Sequence, residues 1–202
     1  MLTTFHALPK PGRHPRGWPC RMSICGQSEA RRFHADLAPT HVLSIITPGR
    51  SYLGPRDVAP DCHLKVEFDD VEDAGLPGAP TLGQALEILS WASALPETAK
   101  LCLHGLQGGR RAPAVGLGIL AAVVDPSEAT AALSPFCRQA PDPNPLLVRL
   151  FDEALGLDGA LVEACATRFV ASRATQRRRS TESDASFDFG MLAIDRGQAQ
   201  SG

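Results

Sequence analysis

The chain has 202 residues, 44% of them hydrophobic, and a formal net charge of −2. That size suits one domain with a sizeable core, and the near-neutral balance gives no electrostatic reason to expect nucleic acid or an anionic membrane as partner. No apolar run reaches the ~18–20 residues of a transmembrane helix, and the basic N-terminus lacks the ~7–15-residue apolar core of a secretory signal, so the expected location is cytoplasmic.

Residues 1–21 are rich in Pro, Gly, Arg and His, show no periodicity, and read as a disordered extension, with Met22 as an alternative start. MSICG from Met22 reads as a first buried strand, and 27–38 as a short polar helix capped by Ser28. Thr40–Ile46 is a second strand, rich in β-branched residues. Cys62–Phe68 is a third, and it runs into an acidic cluster of Asp69, Asp70, Glu72 and Asp73. Thr81 then opens a helix whose apolar positions 82, 85, 86, 88, 89 and 92 recur at helical spacing.

A fourth strand, Leu101–His104, enters a loop with glycines at 105, 108 and 109, and Arg110 and Arg111 follow. Pro113 falls in the first turn of the next helix, where its missing N–H costs little. Within that helix, Gly116 and Gly118 weaken propensity but allow close packing. Asp125-Pro126 starts another helix, bent or ended near Pro135. Asn144-Pro145 marks a cap with a first-turn proline, Gly156 ends that helix, and Asp158 is the expected cap of the last one. From Gln176 a basic block precedes an acidic one, so 176–202 is expected to be a disordered tail. Strands alternating with helices predict an α/β three-layer domain over 22–175, built on a central, mostly parallel sheet of four or five strands flanked by helices. Ile46, Val66, Leu103 and Ile119 are expected in one core.

A strand, a tight glycine loop and a helix N-terminus together form a geometry that cradles an oxyanion. Loop N–H groups converge there, and the helix dipole favours negative charge. Arg110 and Arg111 add planar guanidiniums able to pair two oxygens of one anion. A plain strand-to-helix connection with solvated arginines reads equally well from the loop alone. The six cysteines, at 20, 25, 62, 102, 137 and 165, form no CxxC pair. Neither a metal site nor a cofactor is therefore expected.

His104-Gly105-Leu106-Gln107-Gly108-Gly109-Arg110-Arg111 resembles the His-Cys-x-x-Gly-x-x-Arg loop of the cysteine-dependent protein tyrosine and dual-specificity phosphatases. His104, Gly108 and Arg111 fall where that pattern wants them. Gly105 stands in place of the nucleophilic cysteine, and Ala112 in place of the usual serine or threonine. The segment PDPNPLLVRLFDEALGLDGALVEA resembles the end of a bacterial branch of the family, and the resemblance spans about 22–171. It implies a phosphatase fold in which Leu106, Gln107, Gly108, Gly109, Arg110 and Arg111 hold phosphate while His104 supports the loop. It also implies that Asp70, with Asp69 second, occupies the position of the general acid that protonates the leaving group.

Without a sulfur at 105 the covalent phospho-cysteine of that family cannot form. Three readings stay open. One is a pseudophosphatase that binds phosphate, sulfate, a phosphorylated group or a protein partner. Another is a degenerate interaction domain that binds no anion. The third is an active phosphatase, with position 105 misread by one base or with another nucleophile. Cys102 is a poor substitute, because it lies three residues back on the strand.

Overall fold

Among the described residues, runs of apolar and β-branched residues become four strands: β1 (Arg21–Gly26), β2 (His41–Ile46), β3 (His63–Glu67) and β4 (Lys100–Gly105). They pair in the order β1-β4-β2-β3, and every pairing is parallel. Parallel strands need crossover connections, so all four carboxyl ends emerge at one edge of the sheet, where α/β folds bind ligands. The computed structural model describes residues 21–96, 98–133 and 141–181. The expected extension (but for Arg21), the stretch around Pro135 and most of the expected tail lie outside those residues.

Among the described residues up to Phe169, seven α-helices carry the crossovers and layers: α1 (Gln27–Arg32), α2 (His34–Leu37), α3 (Leu82–Ser93), α4 (Arg111–Ala121), α5 (Pro126–Leu133), α6 (Pro145–Leu155) and α7 (Ala160–Arg168). The side chain of Thr81 caps α3 by accepting from the Gln84 amide. Asn144 caps α6 in the same way, accepting from Leu147 N at 3.0 Å. The chain divides into two units, one up to Phe169 and one from Val170. Among the described residues no helix is long and apolar enough to cross a membrane.

Every residue of α4 is buried. A helix apolar on all sides needs neighbours on all sides, and α4 packs on β1 and β4 and against α3, α5 and α6. Gly118 permits the last of these approaches, since a Cβ there would run into the Phe151 ring of α6. The main core gathers Met22, Ile24, Leu43, Ile45, Val66, Leu101 and Leu103 from the sheet with Val115, Leu117, Ile119 and Phe151 from the helices. On the opposite face a smaller cluster joins Cys25, Val42 and Cys102 to Ala30.

Four expectations are corrected. Ile46 does not join the core of Val66, Leu103 and Ile119. Alternation along β2 puts Ile45 there and sends Ile46 to the other face with Val42 and Ser44. Residues 27–38 form two helices, broken at Phe33. The first begins at Gln27, with the Glu29 carboxylate accepting from Gly26 N at 3.0 Å, so Ser28 is not the cap. Asp158 does not cap α7. It sits in a left-handed turn, and Asp152 of α6 accepts from Gly159 N at 2.7 Å and Leu161 N at 2.8 Å. A carboxylate from the preceding helix thus does the capping, a pairing that local sequence spacing does not reveal. Finally, residues 173–181 are helical, so the tail is not structureless from Gln176.

Candidate anion-binding loop

β4 ends at Gly105 and α4 begins at Arg111, which leaves five residues to turn the chain. The turn depends on Gly108. Its φ is +74°, and a Cβ there would collide with the backbone of Cys25 and Gly26 at the end of β1. The loop's carbonyls are tied outward. Leu106 O accepts from Gln27 N at 3.3 Å, Gly109 O from Asp142 N at 3.2 Å, and Arg110 O from Asn144 N at 3.3 Å. Across a planar trans peptide the next N–H points the opposite way, so the amides of Gln107, Arg110 and Arg111 face away from these partners. Among the described residues no hydrogen bond uses the amide of Leu106, Gln107, Gly108 or Gly109. The first amides of α4 have no intrahelical acceptor either.

The two arginines go to different places. Arg111 is buried. Its Nη1 donates to Phe68 O at 2.5 Å and its Nη2 to Thr47 Oγ1 at 2.7 Å, tying the ends of β3 and β2 to the start of α4. Those bonds engage two of the guanidinium's five N–H donors. Burial pulls its basicity down, while Asp70 and Asp69 push it back up. Arg110 reaches three carboxylates instead. Its Nε lies 3.0 Å from Asp70, its Nη1 lies 2.9 Å from Asp142, and its Nη2 pairs with Glu72. Burial alone would lower its basicity, but Asp70, Asp142 and Glu72 more than offset that and hold it above its usual value.

Asp70, the candidate general acid, therefore sits in a fixed frame. It accepts from Arg110 Nε and, at 2.8 Å, from Asn144 Nδ2, which also donates to Val71 O at 2.9 Å. Arg149 adds a bond from Nη2 to Glu72 O at 3.1 Å. Each of these bonds is one that the 69–72 segment accepts. The sequence reading missed Asp142, Asn144 and Thr47 as neighbours of the loop. Asn144 was legible only as a helix cap.

His104 does not bond to the loop. Its Nε2 meets Ser44 Oγ at 2.7 Å, and the same hydroxyl meets His63 Nε2 at 2.8 Å and Tyr52 OH at 3.1 Å. Tyr52 OH donates to Pro55 O at 2.9 Å, so Ser44 donates to Tyr52 and accepts from both imidazoles. Both rings then carry their proton on Nε2. A second proton on His104 would go to Nδ1, which is buried without a partner. Accordingly burial, with His63 nearby, pulls His104 down to about 4. Burial and Lys65 do the same to His63, also to about 4.

This cluster makes stability depend on pH. Unfolded histidine binds a proton near pH 6.5, and the folded rings resist it until about 4. Their contribution is therefore complete above pH 6.5 and lost progressively as pH falls from 6.5 to 4. His104 alone is worth about 3 kcal/mol at the acid end. Thermal melts should show Tm falling steeply between pH 6.5 and 4.5, and His104→Gln should flatten that slope. A Tm independent of pH over this range would contradict the arrangement.

Cys102 is no replacement nucleophile. It lies on the small-cluster face of the sheet, its Sγ 4.0 Å from that of Cys25. The contact with Cys102, together with burial, pushes the Cys25 thiol far above its usual range, which keeps it protonated and inert. Among the described residues no group of three or more His, Cys, Asp or Glu gathers to hold a metal.

No protein-family model matches the chain, and no curated protein does. Its neighbours among solved structures are dual-specificity and protein tyrosine phosphatase folds. They include the phosphatase domain of Yvh1 from Chaetomium thermophilum (15% identity, TM-score 0.47, covering 77% of this chain and 98% of that one). The chain is also similar to human DUSP28 (15% identity, TM-score 0.47, covering 69% and 94%), and to PTPMT1 in complex with PI(5)P (15% identity, TM-score 0.45, covering 72% and 93%).

Proposed function

We propose that this protein is a pseudophosphatase whose loop from Gly105 to Arg111 binds a phosphate or a phosphorylated group without hydrolysing it. The observation that carries the reading is the run of four amides, Leu106 to Gly109, that have no acceptor among the described residues beside a buried arginine with donors to spare. Such a run at a helix N-terminus is what an oxyanion with several oxygens pairs with. The likeness of His104, Gly108 and Arg111 to the phosphatase loop supports the same ligand. Gly105 supports the absence of turnover, since it supplies no atom to attack phosphorus. The engagement of Asp70 by Arg110 and Asn144 points the same way, because its carboxylate is held by donors of this chain.

The test pairs two measurements on the purified chain. Calorimetric titration with inorganic phosphate and phosphotyrosine should give one saturable site, while para-nitrophenyl phosphate should be hydrolysed at the background rate. Hydrolysis at about 1 s⁻¹ or faster, an ordinary enzymatic rate, would establish an active phosphatase. Absence of binding with absence of turnover would leave an interaction domain that holds no anion.

A further inference from the structure

Arg110 stands immediately beside Arg111, the arginine of the proposed anion site, yet its guanidinium is ringed by Asp70, Glu72 and Asp142, drawn from two segments 38–40 and 32 residues away in sequence. Arg110 and these carboxylates are all largely or partly buried, with side chains 10–26% exposed. The second segment is stitched to the loop's backbone by Asp142 N and Asn144 N, and to the first segment by Asn144 Nδ2, which donates to Asp70 and Val71 O. Three carboxylates so close to the loop would compete with any incoming anion for Arg111, and Asp70 already acts on its charge. Planar fork geometry lets one guanidinium hold several carboxylates at once.

We propose that Arg110 is a positioning residue that keeps the loop receptive to anions, by holding Asp70, Glu72 and Asp142 on its own guanidinium so that Arg111 is left for the ligand. It does not itself touch the anion. The proposal rests on the anion-binding reading above and adds what makes that binding possible beside an acidic rim.

The experiment uses sulfate, whose charge does not change near neutral pH, titrated into the full chain at fixed ionic strength. Wild-type protein should bind. Arg110→Gln, which removes the positive charge held among the carboxylates, should weaken sulfate by about tenfold or more. Adding Asp70→Asn, Glu72→Gln and Asp142→Asn to that variant should restore affinity to within about threefold of wild type, whatever happens to Tm. Failure of the three neutralising changes to restore binding would mean that Arg110 acts only as structural glue, and the proposal falls. Unchanged affinity in Arg110→Gln overturns it as well. Should Arg110→Gln not fold, Arg110→Lys keeps one charge but loses the fork. It should show a several-fold loss rescued by the same three changes, and no loss or no rescue would overturn the proposal. A wild-type protein that binds neither sulfate nor phosphate brings down the anion-binding reading itself, and this inference with it. Binding by wild type with the wrong pattern in the variants brings down the inference alone.

Discussion

Arg111→Ala is expected to abolish most oxyanion binding. A charge-assisted, two-pronged contact contributes about 1.5–3 kcal/mol, which is roughly 10- to 150-fold in affinity. The same variant should also lower stability, because Arg111 donates to Phe68 O and Thr47 Oγ1 across the ends of β3 and β2. Leaving a buried carbonyl such as Phe68 O unpaired costs about 1–3 kcal/mol. Phosphate titration and thermal melts read the two effects separately. Arg111→Lys distinguishes charge from geometry, since an ammonium keeps the charge and loses the fork. It should recover only part of the affinity. Phosphate affinity unchanged in Arg111→Ala would remove Arg111 from the site.

Gly105→Cys is expected to convert the loop into a slow phosphatase. The space exists. A Cβ at 105 would lie 3.9 Å from the Cβ and N of Ala112 and 4.0 Å from Ile45 Cβ, all ordinary contacts. A thiol placed there would sit at the N-terminus of α4 beside Arg111, a setting that lowers a cysteine pKa toward the thiolate. Rescue should be partial, because two other parts stay missing. Ala112 has no hydroxyl to help the sulfur leave, and Asp70 is engaged by Arg110 and Asn144. Hydrolysis of para-nitrophenyl phosphate should rise above background yet stay below about 1 s⁻¹, and adding Ala112→Ser should raise it further. Mass spectrometry of a quenched reaction should find phosphate on the introduced cysteine. A folded variant with neither phospho-enzyme nor turnover would show that the loop does not present residue 105 to the anion.

Much of the frame is legible because its signals are local. Period-2 and period-3.6 apolar patterns place β2, β3, β4 and α3 within a residue or two, and Thr81 and Asn144 announce the helices they cap. Errors arise where two local choices compete. Ile45 and Ile46 are chemically identical neighbours, and only the pleat of a strand already docked decides which one enters the core. Asp152 and Asp158 are both acidic residues near the start of α7. The fold selects Asp152 because the connection after α6 brings Gly159 and Leu161 back to its carboxylate. The Ser44 cluster is equally hidden, since His63 and His104 reach one hydroxyl from 19 and 60 residues away.

By itself the sequence determined the chemistry that residue type alone controls. Gly105 has no side-chain atom to attack phosphorus in any fold, and the glycines, Arg111 and the apolar run after them mark a loop before a helix. Only the tertiary structure decided what two adjacent arginines do. Successive positions at a helix start are turned about 100° from one another, so Arg111 points to Phe68 and Thr47 while Arg110 points to Asp70, Glu72 and Asp142. Those partners lie 32 to 64 residues from the arginines that hold them. No local pattern encodes such a distance. It is set when the parallel crossovers bring the ends of β2, β3 and β4 and the start of α6 to the same edge of the sheet.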